Sequence, residues 1–114
     1  MSISVGIDIV EYARFRSAGR KYGGRFLRRI FTERELRALP RRDRTLHYAL
    51  GFSFKEAVWK ALPPAAQKKN YFQEIEILWT QGTPALAIAN YRTGYRLFFR
   101  RVGGDVLTLA VLFR

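Results

Sequence analysis

Leu50–Leu62, LGFSFKEAVWKAL, is the segment from which the architecture of this chain is best inferred. Its apolar residues recur at the i, i+3, i+4, i+7 spacing of a helix that packs one stripe into a core. Three charged residues interrupt the segment: Lys55, Glu56 and Lys60. Glu56 and Lys60 lie four residues apart on one helical face, with the acid first. The helix alone leaves two interpretations open, which are a surface ion pair worth about 0.3–0.5 kcal/mol and a site for phosphate and metal.

Periodicity and helix-ending residues divide the rest of the chain into strands and helices. Thr32 and Glu35 form a capping box, which predicts the start of a short helix. The order is a strand over 2–11, a helix from Ala13 interrupted at Gly23-Gly24 and resuming over 26–30, a short helix ending near Pro40, the main helix over 45–62 ended by Pro63-Pro64, a loop over 65–70, and strands over 71–81, 84–90, 94–102 and 106–114. An N-terminal strand, helices including one long helix, and then an antiparallel meander indicate an α+β fold.

Asp8 is an unusual residue for its place in the first predicted strand. Asp is depleted in strands, yet here it lies in a β-branched run, on the same face as Gly6, which leaves room beside it. Ile3, Val5, Ile7 and Ile9 point to the opposite face. A partly buried carboxylate needs a cation or good hydrogen-bond donors. The alternative is an exposed acid at the edge of a sheet.

The totals suit one domain, which we predict over residues 1–114. The 114 residues are 48% hydrophobic and include no cysteine, so a core is expected and thiolate metal sites are excluded. The N-terminus has the features of neither a signal peptide nor a membrane span, and no apolar run approaches bilayer length. We therefore expect a cytoplasmic protein with no membrane partner.

Positive charge is concentrated in one part of the chain. Residues 14–44 carry twelve Lys and Arg against three acids, within a total net charge of +12. Such a patch attracts polyanions or acidic proteins, and arginine favours bidentate contacts with carboxylate or phosphate. Nucleic acid, an acidic protein, a phosphorylated small molecule and a merely solvated basic face all remain open at this point.

Mg²⁺ is the metal that the available side chains favour. The only histidine is His47, and the chain has no Gly-rich phosphate loop, so zinc clusters and Ser-His-Asp triads are excluded. Asp8 and Glu56 are the two acids placed in apolar surroundings. Mg²⁺ is commonly bound by one or two carboxylates together with substrate phosphates and water.

Four segments carry short motifs in a fixed order. They are Val5–Arg14 (VGIDIVEYAR), Phe26–Glu35 (FLRRIFTERE), Phe52–Leu62 (FSFKEAVWKAL) and Phe72–Ile77 (FQEIEI). They resemble the G-[IL]-D-[IL]-x-E-x-x-R, F-x-x-R-[IV]-[FL]-T-x-x-E, F-[AS]-x-K-E-A-x-x-K-A and F-x-[DE]-I-E-[IV] motifs of the holo-acyl-carrier-protein synthase family, the small phosphopantetheinyl transferases. Order, spacing and total length agree across about three quarters of the chain.

The resemblance implies an α+β fold that forms a homotrimer with active sites between subunits. It implies Mg²⁺-dependent transfer of 4′-phosphopantetheine from coenzyme A to a serine of an acyl carrier protein. By motif position, Asp8 and Glu56 match the metal ligands and, with Lys60, the catalytic set. The resemblance further implies coenzyme A contacts from Lys55 and Lys60, and carrier-protein contacts from the basic helix, at Arg14, Arg20, Arg25 and Arg28.

The chain departs from the family motifs at three places near the expected coenzyme A site. Gly51 stands where the family has Arg, Pro63-Pro64-Ala65 replaces a G-T-G turn, and Leu97–Arg100 replaces S-x-S-H. We expect Arg100 to supply a coenzyme A contact in place of the histidine. Two alternatives remain: a non-catalytic relative that binds a carrier protein or another acidic partner, and a basic nucleic-acid-binding domain, which leaves Asp8 and Glu56 unexplained.

Overall fold

The computed structural model describes residues 2–114, with Gly19 and Tyr22 described by their backbone alone; Met1, the first residue of the predicted domain, lies outside this range. The elements are β1 (Ile3–Glu11), α1 (Tyr12–Ile30), α2 (Glu33–Ala38), α3 (Arg44–Ala61), α4 (Pro64–Gln67), a 3₁₀ turn (Phe72–Glu74), β2 (Ile75–Thr80), β3 (Thr83–Ile88), β4 (Gly94–Val102) and β5 (Asp105–Phe113). The predicted α+β class is confirmed. Within residues 2–114, no helix combines the length and apolarity needed to cross a bilayer.

The strands form two antiparallel sheets rather than the single meander that we predicted. β1, β5 and β4 form one sheet with β5 in the centre, and β2 and β3 form a separate hairpin. The first strand of the chain therefore pairs with the last, and Asp8 lies directly opposite Thr108. Local periodicity gives the strands correctly but contains no information about this long-range pairing.

α3 is the central element, as its apolar spacing predicts. Phe54, Ala57 and Val58 are completely buried, and the helix packs against both β1 and β5. Burying a side chain the size of Val or Phe contributes about 1.5–3 kcal/mol. This stripe therefore fixes α3 against the inner face of the sheet.

The local signals at helix ends are mostly confirmed. The capping box is present, because Thr32 Oγ1 accepts from Glu35 N at 3.2 Å and Glu35 Oε1 accepts from Thr32 N at 2.9 Å. α1 is kinked at Gly23, whose φ is +61°, a conformation that glycine adopts readily. The predicted loop after Pro63-Pro64 is instead the one-turn helix α4, which begins with Pro64 at a position where proline is tolerated.

The side chains of β1 alternate between two faces as predicted, and the face that carries the β-branched residues is the exposed one. Ile3, Val5, Ile7 and Ile9 are 52–63% exposed. The inner face carries Ser4, Gly6, Asp8 and Val10, which are at most partly exposed. The small and polar face of this strand therefore packs on α3, and the sheet presents an apolar outer surface.

Candidate active site between β1 and α3

Gly6 allows β1 to approach α3 at backbone contact distance. A Cβ at this position would lie 1.8 Å from the carbonyl oxygen of Ala57 and 3.1 Å from the backbone nitrogen of Ala61. Ser4 Oγ, on the same face, donates to the Ala61 carbonyl at 2.6 Å. The close approach at Gly6 brings the following inward residue, Asp8, against the polar side of α3.

Asp8 is held by one donor on each carboxylate oxygen. Lys60 Nζ donates to Oδ1 at 3.1 Å, and Ser53 Oγ donates to Oδ2 at 3.0 Å. Lys60 also donates to the Ile7 carbonyl at 3.1 Å. The Asp8 side chain is 14% exposed and that of Lys60 is 48% exposed. Lys60 thus pairs with Asp8 on β1, rather than acting only as the i+4 partner of Glu56 that its spacing indicated.

Glu56 lies beside Asp8 with no ion pair or hydrogen bond to its carboxylate from residues 2–114. Partial burial raises its pKa above the ordinary value of 4.5; the nearby negative charge of Asp8 acts in the same direction, and Lys60 opposes both. Asp8, Glu56 and Lys60 together carry a net charge of −1 when ionised. The pair of carboxylates is therefore electrostatically suited to a cation.

A group of three metal-ligating side chains is absent from the described part of the chain. Asp8 and Glu56 remain a two-carboxylate set. Such a set fits Mg²⁺, because this ion keeps several water or phosphate oxygens in its coordination shell. The carboxylate of Glu56, which has no partner in the described part of the chain, is the structural feature that a hard cation would satisfy.

Two cavities meet at Glu56. One, of about 320 Å³, lies on the Asp8 side and is lined also by Arg14, Phe15 and Phe52. The other, of about 230 Å³, is lined by Trp59 and by the segment that includes Tyr71, Phe72 and Ile75. Glu56 is therefore accessible from two sides, one lined by carboxylates, Arg14 and apolar side chains and the other mostly aromatic.

Lys55, for which the motif position implied a coenzyme A contact, is buried and paired within the fold. Its side chain is 1% exposed and forms an ion pair with Glu35, which is 2% exposed, at 2.7 Å. The ammonium also donates to the carbonyls of Phe72 at 2.6 Å and Ile75 at 2.5 Å. An ammonium group has three protons, so none remains for a phosphate. Burial lowers the pKa of Lys55, and the Glu35 carboxylate opposes that effect.

Arg100 lies on the wrong face of the sheet to reach Asp8 in the same chain. It is exposed on β4 and paired with Leu107, which in turn is paired with Ile9. Side chains alternate between faces along a strand, so Arg100 shares the outer face with Ile9 whereas Asp8 is on the inner face. Arg100 therefore does not face this site within one protomer, and its contact with coenzyme A stays a prediction.

The predicted carrier-protein arginines are exposed on α1, but they do not converge on one cavity. Arg14 lines the same cavity as Asp8 and Glu56, and Arg20 and Arg25 lie further along the helix, on either side of the kink. Arg28 lines a different groove, next to Glu33. The basic helix thus extends outward from the Asp8 cavity.

The sequence analysis missed two groups that the structure places at the site. Ser53 and Thr108 are fully buried polar residues behind Asp8. Thr108 interrupts an otherwise apolar strand, which is a signal for a buried partner, but its partner depends on the β1–β5 pairing. Gly51, the first departure from the family motifs, faces the ring of Phe31, which a Cβ would approach to 2.9 Å.

Comparison with known proteins identifies the family. Residues 4–110 match the model of the 4′-phosphopantetheinyl transferase superfamily. A holo-[acyl-carrier-protein] synthase from Protochlamydia amoebophila is 38% identical over 91 residues, which cover 78% of this chain and 75% of that protein.

Solved structures agree over nearly the whole chain. A complex of the acyl-carrier-protein synthase of Chronobacterium ammoniagenes with coenzyme A matches with a TM-score of 0.79 and 25% identity, covering 99% of this chain and 98% of the other. The holo-(acyl-carrier-protein) synthase of Bacillus anthracis, in complex with CoA (3′,5′-ADP), matches with a TM-score of 0.77 and 29% identity, covering 96% and 94%. The site between β1 and α3 thus lies in a chain that belongs to the 4′-phosphopantetheinyl transferase superfamily and is similar throughout to its holo-acyl-carrier-protein synthases.

Proposed function

We propose that this protein transfers 4′-phosphopantetheine from coenzyme A to a serine of an acyl carrier protein, with Mg²⁺. The observation that carries the proposal is the juxtaposition of Asp8, Glu56 and Lys60 in a chain of this family. It supports phosphoryl-group chemistry because two carboxylates suited to a hard cation lie beside a half-exposed ammonium.

Asp8 and Glu56 are the residues that would hold the metal. Bound Mg²⁺ supplies charge neutralisation and orientation of the diphosphate. Asp8 is restrained through both of its oxygens, whereas Glu56 is free of protein donors within the described range. We infer that Asp8 is the fixed ligand and Glu56 the adaptable one.

Lys60 and Glu56 have complementary roles in the proposed reaction. The attacking serine oxygen forms a new bond to the β-phosphorus, and the bond to the leaving 3′,5′-bisphosphate oxygen breaks. Lys60 stabilises the negative charge on phosphate oxygens as a point charge. The carboxylate oxygen of Glu56 that does not bind the ion would accept the serine proton.

The acidic carrier protein is proposed to dock on α1. Arg14 lines the catalytic cavity, and Arg20, Arg25 and Arg28 continue the positive charge along the helix. Complementary charge raises the rate of encounter and orients the partner. A carrier protein bound along α1 would present its serine to the cavity at Arg14.

We also propose that the active form is a homotrimer. The outer face of the β1–β5–β4 sheet exposes the large side chains Ile3, Val5, Ile7, Ile9 and Phe98, at 50–63%. A contiguous apolar face of this kind marks an association surface, and the family resemblance supplies the trimeric stoichiometry. Arg100 lies on this face, so its only route to a coenzyme A molecule is across a subunit interface.

Mass spectrometry of the carrier protein tests the transfer directly. Incubation with coenzyme A and Mg²⁺ should add the mass of the pantetheine arm to an apo carrier protein, and Asp8→Ala or Glu56→Ala should abolish the addition while retaining a cooperative unfolding transition. Calorimetry separates the non-catalytic alternative, which predicts carrier-protein binding without coenzyme A binding. Full activity in both variants would refute the assignment of the site.

Sedimentation of the parent chain and of Ile7→Asp tests the trimer. The parent should sediment as three chains, and an aspartate in the middle of the apolar face should give a folded monomer, because a charge cannot be buried there unpaired. A monomeric parent at micromolar concentration would overturn this part of the proposal.

A further inference from the structure

Two buried hydroxyl groups lie behind Asp8, on the side opposite to Lys60. Ser53 on α3 and Thr108 on β5 are both 0% exposed. Ser53 Oγ lies 3.0 Å from Asp8 Oδ2 and 2.7 Å from Thr108 Oγ1. The three side chains thus form a continuous chain of hydrogen bonds from the central strand, through the helix, to the carboxylate.

The protons in this chain have only one arrangement that satisfies every group. A hydroxyl has a single proton, and the ionised carboxylate of Asp8 only accepts. Ser53 therefore donates to Asp8, and so Thr108 must donate to Ser53. Each proton is committed, and the order Thr108 to Ser53 to Asp8 is fixed by the pairing of β1 with β5 and by the packing of α3.

We propose that Ser53 and Thr108 are positioning residues that hold the Asp8 carboxylate in one orientation for a divalent cation. With Oδ2 held by Ser53, Oδ1 faces Lys60 at 3.1 Å, and it is the oxygen that we assign to the cation. The inference rests on the proposed cation site, and it assigns roles to two residues that do not themselves touch the metal. Outer hydrogen bonds of this kind commonly alter metal affinity by about 10–100-fold.

Two variants distinguish a role in orienting Asp8 from a role in stabilising the fold. Ser53→Ala removes the donor to Asp8 and also leaves the Thr108 hydroxyl buried without a partner, which should lower Tm by about 4–8 °C. Ser53→Ala combined with Thr108→Val removes both hydroxyls and replaces threonine by a side chain of nearly the same shape. The double variant should therefore regain most of the lost Tm, although Asp8 Oδ2 still lacks its donor.

Mn²⁺ is the probe, because it suits carboxylate and water ligands and its free concentration is measured by electron paramagnetic resonance. We expect the parent to bind Mn²⁺ saturably, and both Ser53→Ala and the double variant to bind it about tenfold more weakly. Ser4→Ala is the matched control. Like Ser53, Ser4 donates a hydrogen bond between β1 and α3, but its acceptor is the Ala61 carbonyl. It should leave the Mn²⁺ affinity unchanged.

The outcomes separate this inference from the proposed function. Weak Mn²⁺ binding in the double variant despite a recovered Tm supports positioning. Parent-like Mn²⁺ affinity in the double variant overturns the inference alone. A parent that binds Mn²⁺ no better than Asp8→Ala overturns the cation site and the inference together.

Discussion

Lys55 and Lys60 lie five residues apart on the same helix and have opposite environments. Lys55 is 1% exposed and gives all three of its protons to Glu35, Phe72 and Ile75. Lys60 is 48% exposed and pairs with Asp8, next to Glu56, a carboxylate with no partner among the residues that the structure describes. The two sites use the same chemical groups, but one is complete and the other is not.

This difference distinguishes a charged pair that stabilises the fold from one that is open to a ligand. The Glu35 carboxylate also accepts from Thr32 N at 2.9 Å and Ile77 N at 2.8 Å, so the Lys55–Glu35 pair joins α2, α3 and β2. A buried pair is tolerated when further hydrogen bonds satisfy the remaining sites. At the Lys60 site, by contrast, the ammonium is exposed to a substrate, and carboxylate oxygens remain available to a cation.

Lys55→Met should have the largest effect on folding. It leaves Glu35 as a buried charge without a cation, and breaking one side of a buried pair costs about 3–5 kcal/mol. Urea unfolding measures the loss. Lys60→Met is the matched control and should change the free energy of unfolding by less than about 1 kcal/mol, because its pair is partly exposed.

A second variant keeps this comparison informative if Lys55→Met fails to fold. Lys55→Met combined with Glu35→Gln removes the isolated charge while retaining an acceptor for one backbone amide, so it should recover part of the lost stability. Equal stability losses in Lys55→Met and Lys60→Met would contradict the contrast between the two sites.

Lys60→Met should have a large effect on catalysis, although its effect on stability is small. Removing one positioned donor to developing charge typically costs about 10²–10³-fold in kcat, and we expect a loss of this size in the transfer assay at saturating coenzyme A. Lys60→Arg should retain part of the rate, because it keeps the charge but changes the donor geometry. A Lys60→Met enzyme with the parental kcat would show that the ammonium serves only to pair with Asp8.

Gly6→Ala tests the contact that brings β1 to the site. The new Cβ would lie 1.8 Å from the Ala57 carbonyl oxygen, so the strand must move away from α3, at a cost of about 1–3 kcal/mol. Transfer should fall as well, because Asp8 moves with the strand. Gly104→Ala is the control: its Cβ meets nothing within 4 Å, and we expect a change within about 0.5 kcal/mol. Similar Tm values for the two variants would exclude this close contact.

The sequence was sufficient for most of the helices and strands, but not for the contacts between them. The spacing of α3, the capping box at Thr32 and the interruption at Gly23 are local signals, and each is confirmed. The pairing of β1 with β5 is not local, so neither the single sheet of three strands nor the Ser53–Thr108 chain was predictable from periodicity. The burial of Lys55 could not be inferred for the same reason, since its partner Glu35 is twenty residues away.

Glu56→Gln should have the smallest effect on stability, and it should be the one variant that stabilises the protein. Because the fold raises the pKa of Glu56 above 4.5, the folded protein disfavours the ionised form. Stability is therefore lost as pH rises from 4.5 through the folded pKa. Removing the charge should stabilise the metal-free protein at pH 7.5, by less than about 1 kcal/mol because solvent screens a partly exposed carboxylate, and the advantage should vanish below pH 4.5.

Urea unfolding at pH 4 and pH 7.5, without divalent cations, measures this difference. Glu33→Gln is the control, because Glu33 is exposed and paired with Arg37 at 2.9 Å; its loss should destabilise slightly at pH 7.5, by about 0.3–0.5 kcal/mol. A Glu56→Gln protein that is less stable than its parent at pH 7.5 would mean that the fold itself satisfies this carboxylate. A more stable one would mean that Glu56 is maintained at a cost to the fold, as expected for a residue whose partner is a ligand.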